Sequence, residues 1–178
     1  MLVREEAGAA GASLGQVKEY LRISGSGEDG LLEGLIKSAT ALCEQFLGQW
    51  LILGEARETV LADGGWQRLS ARPVSAILGV DAVGPDGAGQ ALPVDAYSVD
   101  IDASGDGWVR ARPLSGQRVL AVRYRAGMAE DADGLPEPIR QGIVRLAAEH
   151  FSARGGEVAS PPAVVSALWR PWRRMRLA

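Results

Sequence analysis

The sequence predicts an α+β fold: a small helical bundle of three main helices, an inserted antiparallel β-lobe and an extended C-terminal arm. Three observations carry this. Apolar residues recur at spacings of three and four over residues 28–48 and again over 137–153. Between Glu55 and Arg125 that period gives way to short runs of Val, Ile, Tyr, Trp and Leu, broken by Gly, Pro and Asp. Beyond residue 157, Pro161, Pro162 and Pro171 accompany a cluster of Trp and Arg. The parts expected are an N-terminal helical part (1–54), the β-lobe (55–126), a helix completing the helical body (127–156) and a basic, aromatic arm (157–178).

Residues 1–12 are small and polar and are expected to fray. Ser13-Leu-Gly-Gln16 fits a capping box, in which Ser13 and Gln16 each satisfy an orphan N–H of the other's backbone. Leu14, Val17, Tyr20 and Leu21 follow at helical spacing, which predicts a helix over 14–22. Ser26, with Asp29 three residues on, signals a second start. Leu32, Leu35, Ile36, Ala39, Leu42, Cys43, Phe46, Leu47 and Trp50 then form the strongest periodic stripe in the chain, with Gly48 as C-cap.

Six short strands are expected at hairpin spacing, near 56–62, 66–70, 74–83, 97–101, 108–111 and 120–124. Tyr97, Val99 and Ile101 alternate with Ser98, Asp100 and Asp102, the period of a strand. Pro136 and Pro138 open the last main helix in its first turn, where a missing N–H costs nothing. Ile139, Ile143, Leu146, Ala147, His150 and Phe151 give its buried face.

Composition narrows the chemistry. The chain has 178 residues, a formal net charge of −3, one cysteine and one histidine. Cys43 has no internal disulfide partner, and zinc sites built from several Cys and His are excluded. A Ser-His-Asp triad would need His150, and no nucleophile elbow is present. No stretch approaches the ~20 apolar residues of a membrane span. The first residues lack the order of a signal peptide, so a protein made in the cytoplasm is expected, with no membrane partner.

Asp100-Ile-Asp-Ala-Ser-Gly-Asp106 resembles the start of a calcium loop, but its twelfth position is Ala111 where a bidentate Glu is needed. A hairpin turn is the simpler reading. Gly84–Gly89 lacks the Lys and Ser/Thr of a phosphate loop and also reads as a hairpin. The acids Asp95, Asp100, Asp102 and Asp106 have no spacing that fixes a catalytic pair, so no catalytic, cofactor or metal residue is assigned. His150 ends an apolar stripe and reads as a packed or capping residue.

The C-terminal segment is the candidate site. From Arg154 onward there are five arginines and one acid, a charge of +4, while the remainder carries 14 basic and 21 acidic residues. Trp169, Trp172 and Met175 offer apolar contacts, and Arg170, Arg173, Arg174 and Arg176 offer forks for carboxylates or phosphates. These residue types are enriched at interfaces. The segment has three readings: docking on its own core, weak nucleic-acid contact, or contact with another polypeptide. The acidic remainder opposes the second. The third assigns Trp169, Arg170, Trp172, Arg173, Arg174, Met175 and Arg176 as partner-binding residues.

The order of segments resembles phage head–tail connector (adaptor) proteins, found in tailed phages, prophages and gene transfer agents. The resemblance rests on the capped short helix, on the helix Gly-Glu-Asp-Gly-Leu-Leu-Glu-Gly-Leu-Ile-Lys-Ser-Ala-Thr running into Cys-Glu-Gln-Phe-Leu-Gly, on Tyr124-Arg-Ala-Gly127, and on Leu-Pro-Glu-Pro-Ile-Arg-Gln-Gly-Ile before the last helix. It implies a non-enzymatic ring, commonly of twelve subunits, that sits in the neck of a virion or gene transfer agent particle assembled in the bacterial cytoplasm. The ring joins a portal protein to a stopper or tail protein and lets DNA pass, and the C-terminal arm reaches the portal. An acidic ring repels passing phosphates and does not trap them. The alternatives are a stopper or tail-completion protein of the same neck, or a small calcium- or nucleic-acid-binding module.

Overall fold

A computed structural model describes residues 1–5, 9–112, 119–153 and 161–174. The chain divides into two compact units: Met1–Gly8 with Leu53–Met128, and Ala9–Ile52 with Ala129–Ala178.

The helical unit begins with the predicted cap. Ser13 Oγ accepts from Gln16 N at 3.2 Å, and Gln16 Oε1 accepts from Ser13 N at 3.0 Å. Helix α1 (Leu14–Leu21) follows and ends at Arg22, which is left-handed at φ 58°. Lys18 Nζ reaches Asp29 Oδ1 at 2.6 Å and ties α1 to the start of α2 (Asp29–Leu47). The N-cap of α2 is Glu28, with no side-chain cap. Ser26 contributes its carbonyl to Asp29 N and not its hydroxyl to a cap. The other end is as predicted: Gly48 is left-handed at φ 67° and donates to Glu44 O.

Leu32, Ile36, Ala39, Cys43 and Leu47 of α2 are buried, as their spacing requires. They pack with α3 (Glu137–Ser152), whose Ile139, Ile143, Leu146 and Ala147 are fully buried. Residues just before α1 also join this core. Ala12 is buried, and Gly11 N donates to Thr40 Oγ1 at 3.0 Å.

The expected extended arm is corrected. Ala163–Trp169 form a fourth helix, α4, followed by a 3-10 turn over Arg170–Trp172. Pro162 precedes α4 as its N-cap, so a proline marks the start of a helix here. Val165 and Trp169, four residues apart, give α4 one buried edge that packs on α3 and α2.

In the other unit, β1 (Leu2–Arg4), β2 (Gly54–Leu61), β4 (Val74–Val83), β5 (Gly89–Ala91) and β8 (Val119–Ala126) form an antiparallel sheet, once β3 (Gln67–Arg68) is set aside. Its order is β1-β2-β8-β4-β5. β3, β6 (Tyr97–Ile101) and β7 (Gly107–Ala111) form a second antiparallel sheet in the order β3-β7-β6. Each of the six expected strands is present.

β1 and β5 are additional to those six. The expected fraying is corrected for residues 2–4: Thr59 N donates to Met1 O and Glu5 N to Glu55 O, which zips them onto β2. Such pairing is chosen by a partner 50 or more residues away, which a local pattern does not encode. No described helix is long and apolar enough to cross a membrane.

Candidate functional site

The C-terminal segment is fastened to the helical unit at two places. At the first, the Trp169 indole lies against Gly142 on α3. Its Nε1 donates to Ile139 O at 3.2 Å, and its ring meets Phe46 with centroids 5.8 Å apart. A buried indole needs both an apolar bed and a partner for its N–H, and this place supplies both. At the second, the end of α2 is engaged. Gln49 Nε2 donates to Trp172 O at 2.8 Å, and Arg174 N donates to Leu47 O at 3.2 Å, which satisfies one of the carbonyls a helix end leaves open. The Arg173 guanidinium stands 5.2 Å from the centre of the Phe46 ring, within cation–π range.

These contacts sort the predicted partner-binding residues. Trp169 has no exposed surface, so its assignment to a partner surface is corrected: it is an internal anchor of its own chain. Arg174 is half-buried with its backbone tied down. Arg170, Pro171 and Arg173 are exposed, and Trp172 is 38% exposed. Val164, near the start of α4, is 50% exposed. Among the described residues no acid pairs with Arg170 or Arg173. Met175 and Arg176 lie outside the described residues. What is left is a short basic ridge with one half-open indole, seated on a packed base.

The competing candidates are occupied by structural work. Asp102 Oδ1 accepts from Ser104 N at 2.8 Å and Asp106 N at 3.0 Å, and its Oδ2 accepts from Trp108 Nε1 at 3.1 Å. Asp106 faces Arg72 at 3.3 Å and Arg68 at 3.7 Å. Gly105, at φ 77°, completes the tight turn between β6 and β7. These carboxylates are committed to a hairpin, and no cluster of three or more metal-ligating side chains occurs among the described residues.

Gly84–Gly89 is the β4–β5 hairpin, closed by Gly84 N to Ala88 O and Ala88 N to Asp86 Oδ1. Cys43 is sealed in the core, and burial, with the Glu44 charge added, pushes its thiol far up, so it is no nucleophile. His150 lies half-buried near the end of α3, with a buried Nε2 that has no hydrogen-bond partner among the described residues.

One buried polar cluster escaped the sequence reading. Glu58 is only 6% exposed and accepts from Tyr124 Oη at 2.7 Å and Ser70 N at 2.8 Å, and from the Ser70 hydroxyl. Tyr124 Oη in turn accepts from Ala71 N at 3.1 Å. Burial, reinforced by the bond to Glu58, pushes the Tyr124 hydroxyl well above its ordinary value. The network holds the connection between β3 and β4. The signal was available: on β2, Glu58 shares the inward phase of Ala56.

Residues 12–82 match the model of the family described as phage gp6-like head-tail connector protein, so the resemblance drawn from the residues is shown over that stretch. None of the curated proteins matches the chain.

Solved structures match along its whole length. A chain in the neck of an empty gene transfer agent particle, computed with C6 symmetry, is 24% identical. The match covers 100% of this chain and 97% of that one, with a TM-score of 0.82. A chain in the virion of a native gene transfer agent particle, again 24% identical over the same shares, gives 0.80. One in the neck of a native particle, computed with C12 symmetry, is 23% identical over the same shares and gives 0.74. The class defined is an α+β protein similar to head–tail connectors over its N-terminal 12–82 stretch. Its particular fold is one found in the neck of gene transfer agent particles.

Proposed function

We propose that this chain is a structural adaptor of a phage-like particle neck, forming a ring, commonly of twelve copies, that joins a portal protein to a stopper or tail protein and leaves a channel for DNA. The particle is a tailed phage or a gene transfer agent, and the protein works as a joint without catalysis. The observation that carries the reading is the exposed Arg170-Pro171-Trp172-Arg173 ridge, with two arginines that no described acid neutralises, on a fold shared with gene transfer agent necks.

The six- and twelve-fold symmetry of two of the similar structures supports a closed ring, in which each subunit meets its neighbour through two unlike faces. Repetition then multiplies a modest contact, because many ridges engage one partner ring at once. The arginines pair with acids on the portal and Trp172 fills an apolar slot between them.

The test is capture of the purified chain by the portal protein of the same gene cluster, followed by negative-stain imaging. Trp172→Ala is expected to weaken capture more than Arg170→Ala or Arg173→Ala, since a partly buried aromatic anchor outweighs a rim charge. Rings on the portal that survive Trp172→Ala combined with charge reversal at both arginines overturn the ridge as the portal contact, and a wild-type chain that the portal does not capture overturns the adaptor reading. A gel shift with duplex DNA that fades steeply with salt would instead favour a nucleic-acid-binding module.

A further inference from the structure

Resting on that adaptor reading, we infer that Gly142 and Gln49 are positioning residues for the partner contact: they hold the C-terminal segment in a socket that presents Trp172 and its flanking arginines preformed.

The socket depends on an absent side chain. A Cβ placed on Gly142 would stand 2.7 Å from Trp169 Cε2 and 2.9 Å from Cδ1, and real Cβ atoms do not approach that closely. The indole has little room to retreat, because it has no exposed surface and its ring also meets Phe46. Any larger residue at 142 must therefore lift Trp169, and with it the turn that follows. Gln49 acts from the opposite direction. It is 6% exposed, its amide donates to Trp172 O, and so it fixes the backbone of the residue whose ring is offered to the partner. Neither Gly142 nor Gln49 belongs to the exposed ridge.

The consequence is quantitative. A ligand that recognises only the docked conformer binds more weakly in proportion to the fraction of molecules that hold it. A chain with a tenth of its segments seated binds about tenfold more weakly, with every exposed contact residue intact. A free arm behaves differently: its affinity depends on Trp172 and the arginines and is indifferent to residues 49 and 142.

The experiment pairs backbone hydrogen exchange by mass spectrometry with capture by the same portal protein, on full-length wild type, Gly142→Ala, Gln49→Ala and Trp172→Ala. Gly142→Ala is expected to speed exchange over residues 163–174 about tenfold or more while α2 and the β-strands keep their protection, and to weaken capture by about the same factor. Gln49→Ala, which puts no atom into the core, is expected to do the same to a smaller degree, and it carries the test if Gly142→Ala loses protection throughout.

Faster exchange over 163–174 with unchanged capture overturns the positioning role and leaves the adaptor reading standing. Unchanged exchange in both variants overturns the socket itself. Failure of the adaptor reading has a separate signature: wild-type chain that the portal does not capture, whatever the exchange of residues 163–174.

Discussion

The two units solve the same problem by opposite means. In the helical unit the decisive buried contacts are apolar. α2 and α3 pack together with Ile36, Cys43 and Leu47 of the one and Ile139, Ile143 and Leu146 of the other buried, and a glycine admits an indole. In the β unit a buried carboxylate organises a connection. Ser70 N and Ala71 N, which have no strand partner, are satisfied by Glu58 and by the Tyr124 hydroxyl that Glu58 holds. The reason lies in the backbone. A helix satisfies its own amides and needs only shape from its neighbours, whereas a connection between strands must find side-chain acceptors or leave buried amides unpaired. Substitutions should therefore damage the helical unit through lost volume and the β unit through lost hydrogen bonds.

The largest expected effect tests the first half of that contrast. Trp169→Ala removes a fully buried indole that cannot be replaced by solvent, and should cost about 3–5 kcal/mol in urea denaturation. A cost near zero would mean that α4 is not part of the core.

Tyr124→Phe keeps the ring volume and deletes only the hydroxyl, so it isolates the polar network. It should cost about 1–3 kcal/mol at neutral pH. It should also change the pH dependence. The folded protein holds the Tyr124 hydroxyl above its ordinary 10.0, which favours the neutral phenol. That stabilisation is complete below pH 10 and drains away as pH rises above 10. Wild-type urea midpoints measured from pH 8 to pH 11 should fall at the alkaline end, and the Phe variant should lose this part of the fall. Identical slopes would show that the hydroxyl does not titrate differently on folding.

The smallest effect sits at the start of the helical unit. Ser13→Ala breaks a reciprocal cap exposed to water and should cost about 1 kcal/mol, seen as a small drop in thermal midpoint with no change in the β unit's hydrogen exchange.

What was legible in the sequence follows the range of the interactions. The Ser13–Gln16 cap, the stripes of α2 and α3, and the turns at Gly84–Gly89 and Asp102–Gly105 all depend on residues within a few positions of one another, and each stands where its local pattern put it. β1 was missed because its three residues are held only by β2. Glu58 was missed because its partners are 12 and 66 residues away. The C-terminal segment divides along the same line. Its residue types marked it as a place of contact, but Trp169 and Trp172 look alike in the chain. One is sealed in its own subunit and the other is half open.

The sequence alone determined the α+β class, the Ser13 cap and the helix faces, the single Cys and single His that leave no disulfide and no multi-Cys/His zinc site, and the concentration of positive charge at the C-terminal end. Tertiary structure decided which tryptophan is core, which acid is buried and where the first strand pairs. Those choices turn on cavities and acceptors built by residues far apart along the chain, such as the missing side chain of Gly142 and the open carbonyl of Ile139.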